Sequence, residues 1–269
     1  MIINPNPDQF PAIWASAWGE DIYGLWQAFE VDGVHQAVRW IPPGQFLMGS
    51  PPNELRHYLD EIQHSVILSE GYWLADTACT QALWQAVIGR NPSKFSDNLE
   101  NPVECVSWDD VQMFLGRLNR LVKGNLCASL PTEAQWEYAC RAGTTTPFSF
   151  GHNITTDQVN YNGHYLYADG RKGEYRRQTL RVHALPANPW GLYQMHGNVW
   201  EWCQDGYADY PETSVIDPVG PSISKFHMVR GGSWLCNAGY LRSAYRSGGG
   251  PNEQGTSLGF RLCLAQHSF

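Results

Sequence analysis

Apolar and polar positions alternate along LWQAFEV and VHQAVRW, two runs that flank Asp32-Gly33. Such a pair supplies the two left-handed residues of a tight turn, so Leu25–Trp40 is expected to form a β-hairpin. FLMGS after IPPG reads as a further short strand. Residues 51–64 read as polar loop, and SVILSEGYWLADTACT as strand, turn, strand. The apolar period then lengthens from two to that of a helix. Thr80 caps an expected helix over TQALWQAVIG, which Gly89 ends. In SWDDVQMFLGRLNRLV, Ser107 is the cap with Asp110 three residues on. Trp108, Val111, Leu115, Leu118 and Val122 share one face of that helix. Thr132 and Gln135 open a third, TEAQWEYACRAG, which Gly143 stops. Beyond Gly143 the pattern breaks into short strands, Gly-rich turns and isolated aromatics. Neither a long flexible linker nor a repeat divides the chain. It reads as one main domain over 39–269, with 1–38 as an extension that holds the start of the hairpin and packs on it.

Composition narrows the function classes. With 43% apolar and 16% charged residues, the chain is neither disordered nor collagen-like. It has no run of about 18 apolar residues, so no membrane insertion is expected. The first twenty residues lack the basic start and apolar stretch of a signal peptide, so a cytoplasmic location is expected. A net charge of −8 makes nucleic acid a poor partner. Twelve Trp, 13 Tyr and 10 Phe among 26 Gly and 17 Pro suit an irregular, loop-rich fold held by large flat side chains. Seven Cys without a C-x-x-C read as buried free thiols, and the scattered His as hydrogen-bonded or surface groups rather than metal ligands.

The stretches IPPGQFLMGS, NPVECVSWDD, LPTEAQWEYACRAGT, NPWGLYQMHGNVWEWCQD, VRGGSW and LGFRL run in one order over roughly residues 40–264. In them the chain resembles the formylglycine-generating enzyme (sulfatase-modifying factor) family. The resemblance implies an α+β fold of the C-type lectin-like kind, with few helices and short antiparallel strands. It also implies a copper(I) site of two cysteines, the first after RGGSxx and the second five residues later. Cys236 fills the first position and Leu241 stands at the second. A leucine supplies no thiolate to a soft metal, so copper binding and oxidase activity are not expected. Cys236 is the catalytic residue of the alternative reading, an oxidoreductase acting on a substrate cysteine.

Residues 230–262 alternate fixed words (RGGSW, LRSA, GFRL) with a filling that lacks hydrophobic period. This layout resembles the variable region of diversity-generating retroelement target proteins. Leu235, Cys236, Asn237, Ala238, Gly239, Tyr240, Tyr245, Ser247, Gly248, Gly249 and Gly250 all belong to the residue set reachable from adenine-rich asparagine codons. With Glu253, Gln254 and Thr256 they are the expected ligand contacts, because such segments make poor core and good contact loops. Trp234 and Phe260 are expected anchors. Arg230, Arg242, Arg246 and Arg261 either tie loop carbonyls and carboxylates or face solvent. Tyr240 and Tyr245 either contact the ligand or pack partly into the core.

The resemblance further implies structural calcium at Gln194, Gly197, Val199 and Glu201, and at a second set, Asn160, Tyr161 and Glu174. The reading that combines these features is a non-catalytic display protein whose C-terminal loops hold a protein ligand. A pseudo-enzyme scaffold is a further alternative. Oligomeric state is not legible.

Overall fold

Asp32 and Gly33 both take positive φ, 50° and 79°, which is the turn the hairpin needs. They join β2 (Gly24–Val31) to β3 (Val34–Ile41) in register Val31↔Val34. The computed structural model describes residues 5–265. Ahead of the hairpin, β1 (Ala17–Asp21) pairs with β2. The seam at residues 38 and 39 runs through the middle of β3. β4 (Gly44–Met48), β5 (His64–Leu68) and β6 (Tyr72–Ala75) follow. Residues 64–75 are strand, turn, strand as expected, yet the two strands belong to different sheets. β5 pairs with β4, whereas β6 crosses to β3. Tyr72–Ala75 is buried throughout, whereas burial alternates along His64–Leu68, so β6 suits a sheet interior and β5 a half-covered layer.

The three helices are α1 (Gln81–Ile88), α2 (Trp108–Leu121) and α3 (Glu133–Arg141). Thr80 accepts from Leu83 N, and both Ser107–Asp110 and Thr132–Gln135 close as capping boxes. At the end of α3, Ala142 rather than Gly143 is the first residue to turn left-handed, at φ 46°, and Gly143 continues at 85°. Between α2 and α3 lies β7 (Ala128–Ser129). The rest of the chain supplies β8 (Trp200–Gly206), β9 (Val215–Ile216), β10 (His227–Arg230), a 3-10 turn over Ala238–Leu241, β11 (Ser247–Gly249), β12 (Leu258–Phe260) and β13 (Cys263–Leu264). Strand β13 slots between β6 and β7 in a six-stranded sheet ordered β1-β2-β3-β6-β13-β7. A second sheet runs β11-β10-β8-β12 and a third β4-β5-β9. The main core packs α1 and α2 on these sheets, with Trp84 stacked on Phe114 at 5.1 Å and Phe260 fully buried. Phe260 is thus the anchor expected of it.

The four arginines of the C-terminal words are buried ties. Arg230 donates to Glu137 and to the carbonyls of Ser243 (2.8 Å), Ala244 (3.1 Å) and Tyr245 (2.7 Å). Arg246 forks onto Glu133 at 2.8 and 3.0 Å. Arg261 forks onto Glu201 at 2.9 and 3.0 Å. Paired Arg charges of this kind set geometry more than they add stability, but leaving one partner alone is costly.

Asp205 is a pH-dependent member of this frame. Its carboxylate accepts from Glu133 N at the start of α3 (2.7 Å) and from Gly220 N (2.5 Å). Burial first, and the neighbouring Glu133 second, push its pKa up to about 6. The folded chain therefore holds a proton that the unfolded chain releases between the two pKa values. Stability from this group rises as pH falls from about 6 to 4, by about 2 kcal/mol. Urea melts of wild type and Asp205→Asn at pH 7 and 4.5 check this. The wild type should gain on the variant at the lower pH, and parallel profiles would refute the assignment.

Candidate functional site

The C-terminal words build a rigid base. Gly231 and Gly232 sit at φ 92° and 71°, and a Cβ on Gly232 would meet Leu241 Cδ1 and Tyr240 O at 2.9 Å. That close approach lets the 3-10 turn fold back under RGGSW, where Asn237 accepts from Gly239 N at 3.1 Å. Trp234 Nε1 donates to Thr256 O at 3.0 Å and so ties the first filling to the second. Asn162 N donates to Cys236 O, and Ala238 N to Tyr165 O, so the 162–165 loop borders the same surface.

The expected contact residues split into three groups. Leu235, Gly248, Glu253 and Gln254 are exposed. Asn237, Tyr240, Tyr245, Ser247, Gly250 and Thr256 are half-buried. Cys236, Ala238, Gly239 and Gly249 are buried, which corrects the expectation that the whole filling lies outside the core. Cys236 and Ala238 complete an apolar cluster with Phe148, Ile154, Tyr161, Tyr167 and Leu241. Cys236 and Ala238 are small residues within a cluster that Phe148, Tyr161 and Tyr167 fill with large rings.

The sequence reading missed the neighbour of this surface. Residues 51–63 lie beside the 3-10 turn, held by Arg242, whose Nη2 donates to Arg56 O at 2.5 Å. They raise Leu55, Tyr58 and Leu59 to 49%, 41% and 91% exposure. Tyr58 meets Tyr245 edge-on at 5.3 Å, and Tyr245 meets Tyr240 at 4.9 Å and Trp200 at 5.9 Å. Tyr240 and Tyr245 pack on each other and stay half-buried, which is the partial core packing offered for them, with part of each ring left in solvent. Three apolar side chains without period in a polar segment were the available signal.

Chemically, the site departs from a two-thiolate centre. Cys236 Sγ lies 3.3 Å from Ser233 Oγ, and burial raises the thiol pKa. Leu241 is fully buried five residues on. The residues present do not fit two-coordinate copper(I), since the second ligand position is a methyl-terminated side chain sealed in an apolar cluster.

The two calcium sets differ. Both Glu201 oxygens are occupied, by Arg261 and by Trp136 Nε1 at 2.7 Å. Gln194 is bonded to Asn198 and, at 3.1 Å, to Arg181 O. Gly197 and Val199 are buried beside them. The first set does not fit a cation, because its one carboxylate already neutralises a guanidinium. In the second set Asn160 Oδ1 is buried without a donor, and Tyr161 is buried next to it. Glu174 is exposed and pairs with Arg176 at 3.2 Å.

Comparison with known proteins gives this geometry a lineage. The sulfatase-modifying factor enzyme 1-like domain matches residues 25–266. The formylglycine-generating enzyme of Mus musculus is 31% identical over 212 residues, 76% of this chain and 54% of that protein. The enzyme of Thermomonospora curvata is 32% identical over 221 residues, 76% of this chain and 67% of its own. The chain spans about half the length of the mammalian relatives it matches. Among solved structures, Treponema denticola variable protein 1 superposes with a TM-score of 0.77 at 27% identity, over 89% of this chain and 98% of that one. PvdO from Pseudomonas aeruginosa shares the fold, with a TM-score of 0.72 at 22% identity, over 93% of this chain and 98% of its own. Among the described residues no helix is long and apolar enough to cross a membrane. With its few helices, its short and largely antiparallel strands and its ordered motifs, the chain belongs to the formylglycine-generating enzyme (sulfatase-modifying factor) family and has that family's α+β, C-type lectin-like fold.

Proposed function

We propose that the protein is a non-catalytic binding protein that presents its C-terminal loops to a protein ligand, a variable protein of the diversity-generating retroelement kind. The observation that carries this is the pair Cys236 and Leu241. One thiol is buried and protonated, and its partner position is apolar core. An oxidase of the family's type would have one sulfur ligand there instead of two to hold its metal. The likeness to a variable protein over nearly the whole of both chains supports the same reading. Leu235, Tyr240, Tyr245, Glu253 and Gln254, joined by Leu55, Tyr58 and Leu59, form the contact surface. Rigid amphipathic rings flanked by small and polar residues suit recognition at low entropic cost. The buried Cys236, Ala238, Gly239 and Gly249 shape the floor beneath it. Of the two calcium sets only the second keeps an unpaired buried acceptor, Asn160 Oδ1, and its carboxylate, Glu174, is exposed and would have to leave Arg176 to join a cation.

Two measurements separate this from the oxidoreductase reading. Purified protein given copper(I) and a cysteine-containing peptide should consume no oxygen, and Cys236→Ser should change nothing. Turnover that Cys236→Ser abolishes would overturn the proposal in favour of a one-cysteine oxidase. The coding sequence should also have a reverse transcriptase gene beside it and a near-copy of the stretch for 230–262. Absence of both would remove the retroelement part and leave the binding reading to stand on the surface alone.

A further inference from the structure

Charge is unevenly spread along the chain. Residues 171–181 (RKGEYRRQTLR) hold five of the 18 basic residues against one acidic residue, in a chain whose net charge is −8. The remaining residues carry 13 basic against 25 acidic groups. The one acid of the segment, Glu174, is taken by Arg176 at 3.2 Å, and Arg176 Nη2 also donates to Thr156 O at 2.9 Å. Arg171, Lys172, Arg177 and Arg181 are exposed and have no ion pair among the described residues. The main chain of the segment is fixed. Gly163 N donates to Glu174 O at 3.1 Å, Gly173 N to Gly163 O at 2.8 Å, and Asn160 Nδ2 to Gln178 O at 2.9 Å. The segment is thereby held on the 162–165 loop, which borders the contact surface. Aromatic rings continue the connection. Tyr175 stacks on Trp234 at 6.3 Å and 21°, and Trp234 is followed by the exposed Leu235. The Arg177 guanidinium lies over the Tyr175 ring at 5.4 Å. Stacking uses the face of the guanidinium and leaves its N–H edge, which a carboxylate takes, unoccupied.

We propose that 171–181 is an anion-recognising flank of the contact surface, which docks an acidic segment of the protein ligand while the neighbouring C-terminal loops hold the rest of it. The inference rests on the display reading and adds to it the chemistry of the partner, a stretch of carboxylates. The flank lies outside the 230–262 filling, so a change of filling leaves it as it is, and every form of the surface keeps the same attraction. Exposed charges of this kind add modest affinity each and act mainly on the rate and orientation of encounter. The charge of the rest of the chain favours a local acidic patch over a long polyanion. Nucleic acid reaching beyond the flank would meet a chain with more acids than bases, which repels phosphates.

The test titrates ¹⁵N-labelled full-length protein with hexaglutamate, with hexaglutamine, and with an oligothymidylate matched to hexaglutamate in charge. Hexaglutamate should shift the Arg177 Nε–H and Trp234 Nε1–H resonances, and hexaglutamine should not. Its affinity should fall at least about tenfold between 20 and 300 mM salt, because exposed charges are screened over that range. The Arg171→Ala/Lys172→Ala/Arg177→Ala variant should lose about tenfold at low salt. The Arg90→Ala/Lys123→Ala/Lys225→Ala variant removes the same charge from exposed positions elsewhere and should stay within about twofold of wild type. No binding of hexaglutamate at low salt, or equal losses in the two variants, overturns the proposal. An oligothymidylate that binds at least about tenfold more tightly, and loses that affinity in the first variant, overturns it in favour of nucleic acid. Failure of the display reading has a different signature. Copper(I) turnover lost in Cys236→Ser would leave the hexaglutamate shifts in place, whereas failure of the flank removes the shifts and leaves the protein without turnover.

Discussion

Arg242→Met should destabilise the protein by about 3–5 kcal/mol and release the 51–63 segment from the contact surface. Arg242 is fully buried and serves two carboxylates at once. Its Nη1 donates to Glu54 Oε1 and Glu61 Oε2 at 2.7 Å, and its Nη2 to Glu61 Oε1 at 2.6 Å. Its Nε holds Gly239 O at 3.2 Å, so one side chain joins the 3-10 turn to the loop beside it. Methionine fills most of the volume but leaves two carboxylates without a cation. The pH dependence follows in sign. Burial already raises the Glu54 pKa, and Arg242 is what offsets it. Without the arginine the folded-state pKa rises further above the unfolded value. The variant's deficit must therefore shrink as pH falls through the carboxylate range, because the folded chain then takes up the protons it lacks. Denaturant melts at pH 7 and 4.5 measure the deficit. Hydrogen exchange should show lost protection at 51–63 and 238–242 with the β2–β3 hairpin unaffected. A deficit that is constant with pH, or protection unchanged at 51–63, would mean that the guanidinium does not hold the loop. Arg242→Lys keeps the charge without the fork, so it should recover part of the stability and little of the protection.

The helices and the hairpin were legible because each is specified locally. Ser107 with Asp110 and Thr132 with Gln135 name their helix starts by side-chain chemistry alone, and Asp32-Gly33 names its turn by backbone permissiveness. The crossing of β6 into a sheet apart from β5 was not legible. It depends on β13 arriving from 190 residues later to pair with Leu74 and Trp73, and local pattern carries no trace of that. At the site, the missing second thiol could be read from one position, Leu241. Which filling residues face outward could not, because they have no period. Cys236 and Ala238 are buried by Phe148 and Tyr161, residues distant in sequence. The four arginines illustrate both limits. Their pattern offered a tie or an exposed charge, and only the positions of Glu61, Glu133, Glu137 and Glu201 decide for the tie.

On the proposed reading, the same ties let a contact surface tolerate change above a constant fold. Arg230 holds the carbonyls of 243–245 and Arg242 the carbonyl of 239, so the loop path is fixed by main-chain acceptors that every residue type provides. An exposed side chain such as Leu235 can differ without touching these ties, whereas Glu253 and Gln254, though exposed, hold Gly250 N and Asp110 Oδ2 at 3.1 and 2.7 Å. Cys236 and Ala238 are buried in the cluster with Phe148, Tyr161 and Leu241, so a larger side chain there would have to displace those neighbours. Substitutions at Leu235 should therefore fall within the small range typical of surface changes, and those at the buried positions should not.

Glu201→Gln should cost about 3–5 kcal/mol, and the cost should be the same in millimolar calcium and in excess chelator. Glu201 lies where the family resemblance places a calcium ligand, yet its two oxygens hold Arg261 Nε and Nη2 at 3.0 and 2.9 Å and Trp136 Nε1 at 2.7 Å. Glutamine keeps an acceptor for the indole but strands the guanidinium, which is fully buried. Arg261 also donates to Ala75 O and Tyr193 O at 2.9 and 2.8 Å, so it cannot swing out to water without breaking both. Removing the charge from both partners tests this account. The Glu201→Gln/Arg261→Gln double variant should lose less than the sum of the two single variants, with a coupling of about 2 kcal/mol. If Glu201 instead held a cation, the loss in Glu201→Gln would be large with calcium and would vanish under chelator. It would also show no coupling to Arg261, and that pattern would return the carboxylate to the metal and remove it from the frame.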